Sequence, residues 1–145
     1  MKNDLTNHSA GLMLDEDFAR LRKDGINATI VNAGVSGDTT AGGLSRLPSA
    51  MDRHQPTLVL IELGANDGLR GQPVAQMKTN LQKLIAITRS KGAKPVLFEM
   101  RIPSNYGPVY TEQFTTAFAA VWARLLRVAE RSLATDRELL GQTQI

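Results

Sequence analysis

The sequence predicts an α/β fold built around a parallel sheet. Three short apolar segments have the length of strands and lack a strict alternation of apolar and polar residues, which is typical of parallel strands covered on both faces. Longer segments with apolar residues at helical spacing lie between them, which indicates βαβ units with right-handed crossovers. At 145 residues, the chain is expected to form one domain, residues 1–145.

The predicted strands cover residues 28–33, 57–63 and 95–100. The predicted helices cover residues 15–23, 42–53, 74–91 and 111–133. The first helix is expected to stop at Asp24 and Gly25, and the third at Gly92, because glycine readily adopts the left-handed conformation that ends a helix. The second helix is expected to continue through Pro48.

The composition excludes several classes of protein. Apolar residues make up 42% and charged residues 21% of the chain, which is ordinary for a folded domain, and no apolar run reaches the ~20 residues of a membrane-spanning helix. The absence of cysteine excludes disulfides, thiolate metal sites and a cysteine nucleophile. The net charge is only +3. We interpret Arg124, Arg127 and Arg131 as a solvated helix face rather than a nucleic-acid site, since no nucleic-acid-binding motif accompanies them.

Two polar, glycine-rich segments follow the first two predicted strands. They read NAGVSGDTTAGG (residues 32–43) and GANDGLRG (residues 64–71). Ligands of open parallel sheets bind outside the carboxyl ends of the strands, and such segments can present backbone N–H groups to a ligand oxygen. Taken singly, each segment is also compatible with a turn, a capped helix start, an anion nest at residues 37–40, or a cation held by Asp38 and Asp67. A dinucleotide fingerprint is not present.

Taken together, three runs resemble successive blocks of the SGNH (GDSL-type) hydrolases. They read NAGVSGDTTAGGLSRLP, IELGANDGLRG and MRIPSNYGPVY, and they are most similar to the branch that contains thioesterase I, lysophospholipase L1 and arylesterases. The resemblance covers about residues 24–121 and leaves residues 1–23 and 122–145 divergent. It implies a flavodoxin-like, three-layer α/β/α fold. It also implies hydrolysis of small carboxylic esters or thioesters without a metal or an organic cofactor.

The resemblance implies two residues that stabilise an oxyanion. Gly37 matches the family glycine whose backbone N–H donates to the oxyanion, and Asn66 matches the asparagine whose side-chain amide donates to the same oxygen. Fixed donors aimed at a tetrahedral oxyanion contribute roughly 3–4 kcal/mol each to catalysis. We therefore expect both groups to converge on one crevice. The residues expected to contact the substrate are Asp38, Asp67, Leu69 and Tyr106.

The catalytic triad of the family is not evident in the sequence. The end of the GDSLS block resembles residues 9–12, which places Asn7 at the nucleophile position and leaves Ser9 as the candidate substitute. The segment from residue 122 onward contains no histidine. His54 is expected in a turn remote from the crevice, and His8 is adjacent to Ser9, so the two side chains of an extended chain would point to opposite faces.

These departures leave two functions open. The first is an SGNH-type esterase or thioesterase, and the alternative is a catalytically inactive acyl-binding or interaction module on the same scaffold. The first and last strands of the family sheet are expected to be missing, and unpaired strand edges favour marginal stability and self-association. No signal peptide can be read near the first residue, and the cellular location stays unassigned.

Overall fold

The computed structural model describes residues 19–20, 23–25 and 31–141, with side chains described up to residue 127. The helices are α1 (Thr40–His54), α2 (Ala65–Leu69), α3 (Val74–Ser90) and α4 (Pro108–Gly141), and the strands are β1 (Leu58–Ile61) and β2 (Lys94–Leu97). A short 3₁₀ turn, Ser104–Tyr106, precedes α4. The alternation of helices and strands agrees with the predicted α/β class.

The sheet of the described region consists of β1 and β2, which pair in parallel from Leu58–Lys94 to Ile61–Leu97. Both strands are shorter than predicted. The last ladder contact is the hydrogen bond from Phe98 N to Ile61 O, at 3.0 Å. Beyond this contact the segments that follow β1 and β2 leave the sheet and form loops at its carboxyl edge.

Two predictions fall largely outside the described residues. Of the predicted strand 28–33, residues 28–30 are not described, and residues 31–33 have no regular secondary structure, so the prediction is wrong for that half. Of the predicted helix 15–23, residues 19, 20 and 23 are helical. The predicted stop is confirmed there, because a turn follows and Gly25 has a φ of +77°.

The core lies between the apolar stripe of α3 and the first half of α4. Buried residues at helical spacing on α3 meet two aromatic rings of α4, Phe114 and Phe118, whose centroids are 5.3 Å apart. The buried apolar residues of this cluster are Ile61, Met77, Leu81, Leu84, Ile85, Leu97, Phe114, Ala117, Phe118 and Val121. Burial of one face of α3 explains why its predicted boundaries agree closely with the structure.

Two helices are longer than the sequence predicted. Helix α1 begins at Thr40, where the Thr39 hydroxyl accepts a hydrogen bond from Gly42 N, and it continues past Pro48 to His54. Helix α4 begins at Pro108, whose fixed φ suits the first helical position, and it continues through the segment predicted to be divergent. None of the described helices combines the length and the apolar character needed to cross a membrane.

Gly64 begins α2 and packs directly on the core. It has a φ of +117°, and a Cβ atom built there would lie 2.8 Å from Cζ of Phe118 and 3.3 Å from Sδ of Met77. We expect Gly64→Ala to lower the free energy of unfolding by about 2–5 kcal/mol, because the left-handed backbone and the overpacking both cost stability. Equilibrium urea unfolding measures the change.

Gly92→Ala is the matched control for this substitution. Gly92 also has a positive φ, +80°, but a Cβ there has open space within 4 Å. Gly92→Ala should therefore lower the free energy of unfolding only through the strained backbone, by about 1–2 kcal/mol. Equal losses in the two variants would contradict a packing role for Gly64.

Candidate functional site

The candidate site is formed by two loops at the carboxyl edge of the sheet. One loop precedes α1 and turns at Gly37, whose φ of +75° favours glycine over any residue with a side chain. The turn is closed by a hydrogen bond from Asp38 N to Val35 O, at 3.2 Å. The other loop follows β1 and leads through Gly64 into α2. The two glycine-rich segments that the sequence singled out thus form these loops together with the start of α1 and the whole of α2.

Asn66 connects the two loops. Its Nδ2 donates to the backbone oxygen of Asp38 at 2.9 Å, so the side chain lies against the residue that follows Gly37. A primary amide carries two N–H donors, and the contact with Asp38 uses one of them. Within the described part of the chain the second N–H has no hydrogen-bond partner, and the contact with Asp38 restricts the direction in which it can donate.

The Gly37 turn is held from two further sides. Arg70, which follows α2, donates from Nη2 to the carbonyl oxygen of Gly37 at 2.8 Å. Arg46 of α1 forms an ion pair with the carboxylate of Asp38, whose other oxygen accepts from Thr39 N at 2.9 Å. Asp38, predicted to contact a substrate, therefore directs both oxygens to groups of the protein itself.

Asp67 lies in the interior rather than in a groove. Its side chain is buried, with only 3% of the residue exposed, and its oxygens accept from Thr40 N at 2.8 Å and Thr40 Oγ1 at 2.6 Å. The contact of Asp67 with a substrate stays a prediction, and in the described structure both oxygens of this buried carboxylate are engaged by Thr40. Within the described part of the chain, no group of three or more His, Asp or Glu residues is arranged to hold a metal ion.

Leu69 and Tyr106 are brought together, although 37 positions separate them. The Tyr106 hydroxyl donates to the carbonyl oxygen of Leu69 at 2.8 Å, and the Leu69 residue is 46% exposed. Tyr110, which the sequence analysis did not select, donates to the carbonyl oxygen of Gln72 at 2.7 Å, and its ring centroid lies 6.4 Å from that of Tyr106. Tyr106 ends the 3₁₀ turn and Tyr110 lies in the first turn of α4, so periodicity along a single helix could not have selected Tyr110.

Tyr110 keeps its proton at neutral pH. Burial raises its pKa above the ordinary value of 10.0, and the charges of Asp67 and Tyr106 raise this pKa further. The hydroxyl can therefore remain a donor to Gln72 over the whole neutral range. The two tyrosines hold residues 69–72 against the start of α4.

The structure separates His54 from these loops. His54 is the exposed last residue of α1, while Thr40, the first residue of the same helix, lies at the site. A rise of 1.5 Å per residue places the two about 21 Å apart along the helix axis. The other predicted candidates, Ser9 and its neighbour His8, lie outside the described residues.

Comparison with known proteins gives a consistent result. The family model of the GDSL-like Lipase/Acylhydrolase family matches residues 9–138. The chain is 48% identical over 105 residues to Esterase TesA of Pseudomonas aeruginosa, covering 72% of this chain and 52% of that protein. It is 49% identical over 94 residues to an arylesterase of Vibrio mimicus, covering 65% and 47%, respectively. The chain thus spans about half the length of the curated relatives it matches.

Solved structures show the same similarity. A crystal structure of TesA matches with a TM-score of 0.73 and 45% identity, covering 77% of this chain and 62% of that one. The esterase EstA from Pseudoalteromonas sp. matches with a TM-score of 0.71 and 41% identity, covering 74% and 59%. The SGNH-hydrolase esterase AlinE4 matches with a TM-score of 0.74 and 35% identity, covering 83% and 65%. The predicted fold class and family are confirmed: the chain belongs to the GDSL-like lipase/acylhydrolase family.

Proposed function

We propose that this chain hydrolyses small carboxylic esters or thioesters, and that the Gly37 backbone N–H and the Asn66 side-chain amide stabilise the oxyanion. The observation that carries the proposal is the 2.9 Å hydrogen bond from Asn66 Nδ2 to Asp38 O, which holds the amide at the Gly37 turn. Relatives of the chain are named esterase, arylesterase and thioesterase, which supports the same reaction class.

The proposed reaction is a two-step acyl transfer. The hydroxyl of a serine attacks the acyl carbonyl and releases its proton to water, and the electrons of the C=O bond move to the carbonyl oxygen, where the two donors stabilise the negative charge. Collapse of this intermediate expels the alcohol or thiol, which takes up a proton from water, and leaves an acyl-enzyme. A water molecule then attacks the acyl carbonyl, which releases the carboxylic acid and restores the serine hydroxyl. Ser9 is the proposed nucleophile. Donors of this kind alone sustain roughly 10³–10⁴-fold catalysis over water in other hydrolases.

The proposed acyl groove is the surface beside Leu69 and Tyr106. Leu69 supplies an exposed apolar side chain, and the hydroxyl of Tyr106 holds the backbone that carries it. This surface suits a short apolar acyl chain. Asp38 and Asp67 are not part of the proposed groove, because their carboxylates bind Arg46 and Thr40.

The test is hydrolysis of p-nitrophenyl acetate and butyrate by the purified chain, with p-nitrophenyl phosphate as a control that releases the same chromophore. We expect turnover of the two carboxylic esters and none of the phosphate ester. A p-nitrophenyl alkylphosphonate, which reacts with an activated serine, should label Ser9, and mass spectrometry of peptides locates the label. Ester rates no higher than those of buffer would overturn the proposed activity.

A second candidate function is an inactive acyl-binding or interaction module. The distance of His54 from the site favours it, since the described residues then place no histidine base beside Asn66. Binding of a p-nitrophenyl ester without release of p-nitrophenol would support this function over hydrolysis.

We expect the two histidines to contribute little to activity. His54→Ala should leave kcat/KM within about twofold, because the residue is exposed and lies at the far end of α1. His8→Ala should behave in the same way, and circular dichroism of both variants controls for unfolding. A loss above about a hundredfold in either folded variant would show that the base is misassigned.

We also propose that residues 1–145 form one domain that tends to self-associate. Trp122 and Leu125, at the start of the segment predicted to be divergent, pack against the same core as the rest of α4. Leu58 and Leu60 of β1 are 49% and 40% exposed, and Phe98, which follows β2, is 41% exposed. Exposed apolar patches favour association.

A further inference from the structure

We infer that Asp67 is a positioning residue, which with Thr40 and Asn80 sets the placement of Asn66 relative to the Gly37 turn. The inference rests on the proposed function, because it assigns Asn66 and Gly37 the role of oxyanion donors. It also gives a role to the buried carboxylate of Asp67, which the sequence analysis predicted to contact the substrate.

The three side chains form a buried chain of hydrogen bonds. Thr40, Asp67 and Asn80 are 0%, 3% and 5% exposed. Thr40 donates twice to Asp67, from its backbone N and from Oγ1, and Oγ1 in turn accepts from Asn80 Nδ2 at 3.0 Å. Asn80 Oδ1 accepts from Gln76 Nε2 at 3.0 Å. Within this network each carboxylate, hydroxyl and amide group has a partner.

The charge of Asp67 determines which group donates and which accepts in each hydrogen bond of this network. An ionised carboxylate only accepts hydrogen bonds, so the Thr40 hydroxyl must donate to it and must use a lone pair to accept from Asn80. Hydrogen bonds to a buried carboxylate are shorter and stronger than those between neutral groups. The network therefore has one arrangement that satisfies all its members.

This arrangement connects the elements that carry the two proposed donors. Thr40 is the first residue of α1, three positions after Gly37, and Asp67 is the neighbour of Asn66 in α2. A helix of five residues such as α2 is too short to be stable by itself, so its placement depends on tertiary contacts. The contact between Asp67 and Thr40 is such a contact, and the Asn66 amide then reaches Asp38.

The first test is Asp67→Asn, which keeps the shape of the side chain but turns one acceptor into a donor. The new amide would meet the Thr40 hydroxyl, which then loses its acceptor. We expect kcat for p-nitrophenyl butyrate to fall by about 10²-fold, since a displacement of about 1 Å at a reacting centre has that effect. KM should change by less than about threefold, because ground-state binding is not the interaction removed.

The double variant Asp67→Asn/Asn80→Asp is the rescue. It moves the carboxylate from position 67 to position 80, on the other side of Thr40 in the hydrogen-bond network. The new amide at position 67 then donates to Thr40 Oγ1, and the Thr40 hydroxyl donates to the new carboxylate at position 80. Gln76 keeps its acceptor. We expect kcat within about threefold of that of the unchanged chain. A double variant no better than Asp67→Asn, although folded, would contradict the assigned direction.

Thr40→Val and Thr88→Val separate positioning from stability. Both threonines are fully buried, but the Thr88 hydroxyl donates to Leu84 O within α3, away from the site. We expect similar losses of Tm in the two variants and a fall in kcat per folded molecule only in Thr40→Val. Thr40→Ser, which keeps the hydroxyl, should retain kcat within about threefold. These variants also decide the question if Asp67→Asn does not fold.

A readout that needs no turnover keeps this inference distinct from the proposed activity. In ¹H–¹⁵N spectra of the full chain, the Asn66 side-chain amide and the Gly37 backbone amide should shift in Asp67→Asn and Thr40→Val, and much less in Thr88→Val. If the unchanged chain has no esterase activity but these shifts occur, the proposed function fails and the positioning role stands. If the shifts equal those of Thr88→Val, or kcat falls only with the folded fraction, the positioning role is wrong.

Discussion

Replacing Asn66 by alanine should lower kcat for ester hydrolysis by about 10²–10³-fold, which is the loss seen when one donor is removed from an oxyanion hole. The substitution removes the N–H that is proposed to bind the developing negative charge. It also removes the hydrogen bond from Nδ2 to Asp38 O, which holds the Gly37 turn against α2. The initial rate of p-nitrophenyl butyrate hydrolysis measures the change.

The kinetic pattern distinguishes this role from simple substrate binding. A donor used only in the transition state lowers kcat and kcat/KM by the same factor, whereas a ground-state contact raises KM. Asn66→Asp should lose at least as much activity as Asn66→Ala, since a carboxylate repels both the oxyanion and the Asp38 carbonyl oxygen.

Gln113→Ala is the control for the loss of an amide. Gln113 carries an exposed amide on α4 and has no assigned role at the site. Its rate should stay within about twofold of that of the unchanged chain. If a folded Asn66→Ala protein retains more than about a third of the kcat of the unchanged chain, the oxyanion role of Asn66 is excluded.

The largest expected loss of stability follows from truncating Phe118. This residue is fully buried on α4, packs against the ring of Phe114, and approaches Gly64 at the start of α2. Phe118→Ala should lower the free energy of unfolding by about 3–5 kcal/mol, because it removes buried apolar surface and leaves a cavity. This loss is a large part of the free energy of unfolding of a typical domain, which is ~5–15 kcal/mol.

Urea unfolding measures this effect, and Leu126→Ala provides a control on the same helix. Leu126 is 53% exposed, so its truncation should change the free energy of unfolding by less than about 0.5 kcal/mol. An unchanged slope with denaturant would show that the loss lies in stability rather than in compactness. A loss below about 1 kcal/mol for Phe118→Ala would contradict its place in the core.

Phe118 also bears on the expectation of marginal stability. The described sheet has two strands, and much of the apolar core is a contact between α3 and α4. The aromatic residues of α4 therefore supply much of the apolar packing in the described part of the chain. This makes the expected loss in Phe118→Ala a measure of how much the contact between α3 and α4 contributes to stability.

The sequence by itself determined the elements whose signals are local. The helical spacing of apolar residues in α3 and the continuous apolar runs of β1 and β2 can each be read within a single segment. These signals located the three elements, although the strand ends were misplaced by up to three residues. The ends depend on where a neighbouring chain stops pairing, as at Phe98, and that partner is not visible in one segment. The order and spacing of the blocks around Gly37 and Asn66 were likewise sufficient to predict the family.

Only the tertiary structure decided which polar side chains face each other. Asp67 and Thr40 are 27 positions apart, Asn66 and Asp38 are 28, and Tyr106 and Leu69 are 37. Local periodicity carries information about neighbours three or four residues away, and it carries none about partners that the chain path brings together. A carboxylate in a loop also has the same sequence signal whether it is exposed or buried. The burial of Asp67 against the first turn of α1, and hence its role in positioning Asn66, could be seen only once the loops were placed in space.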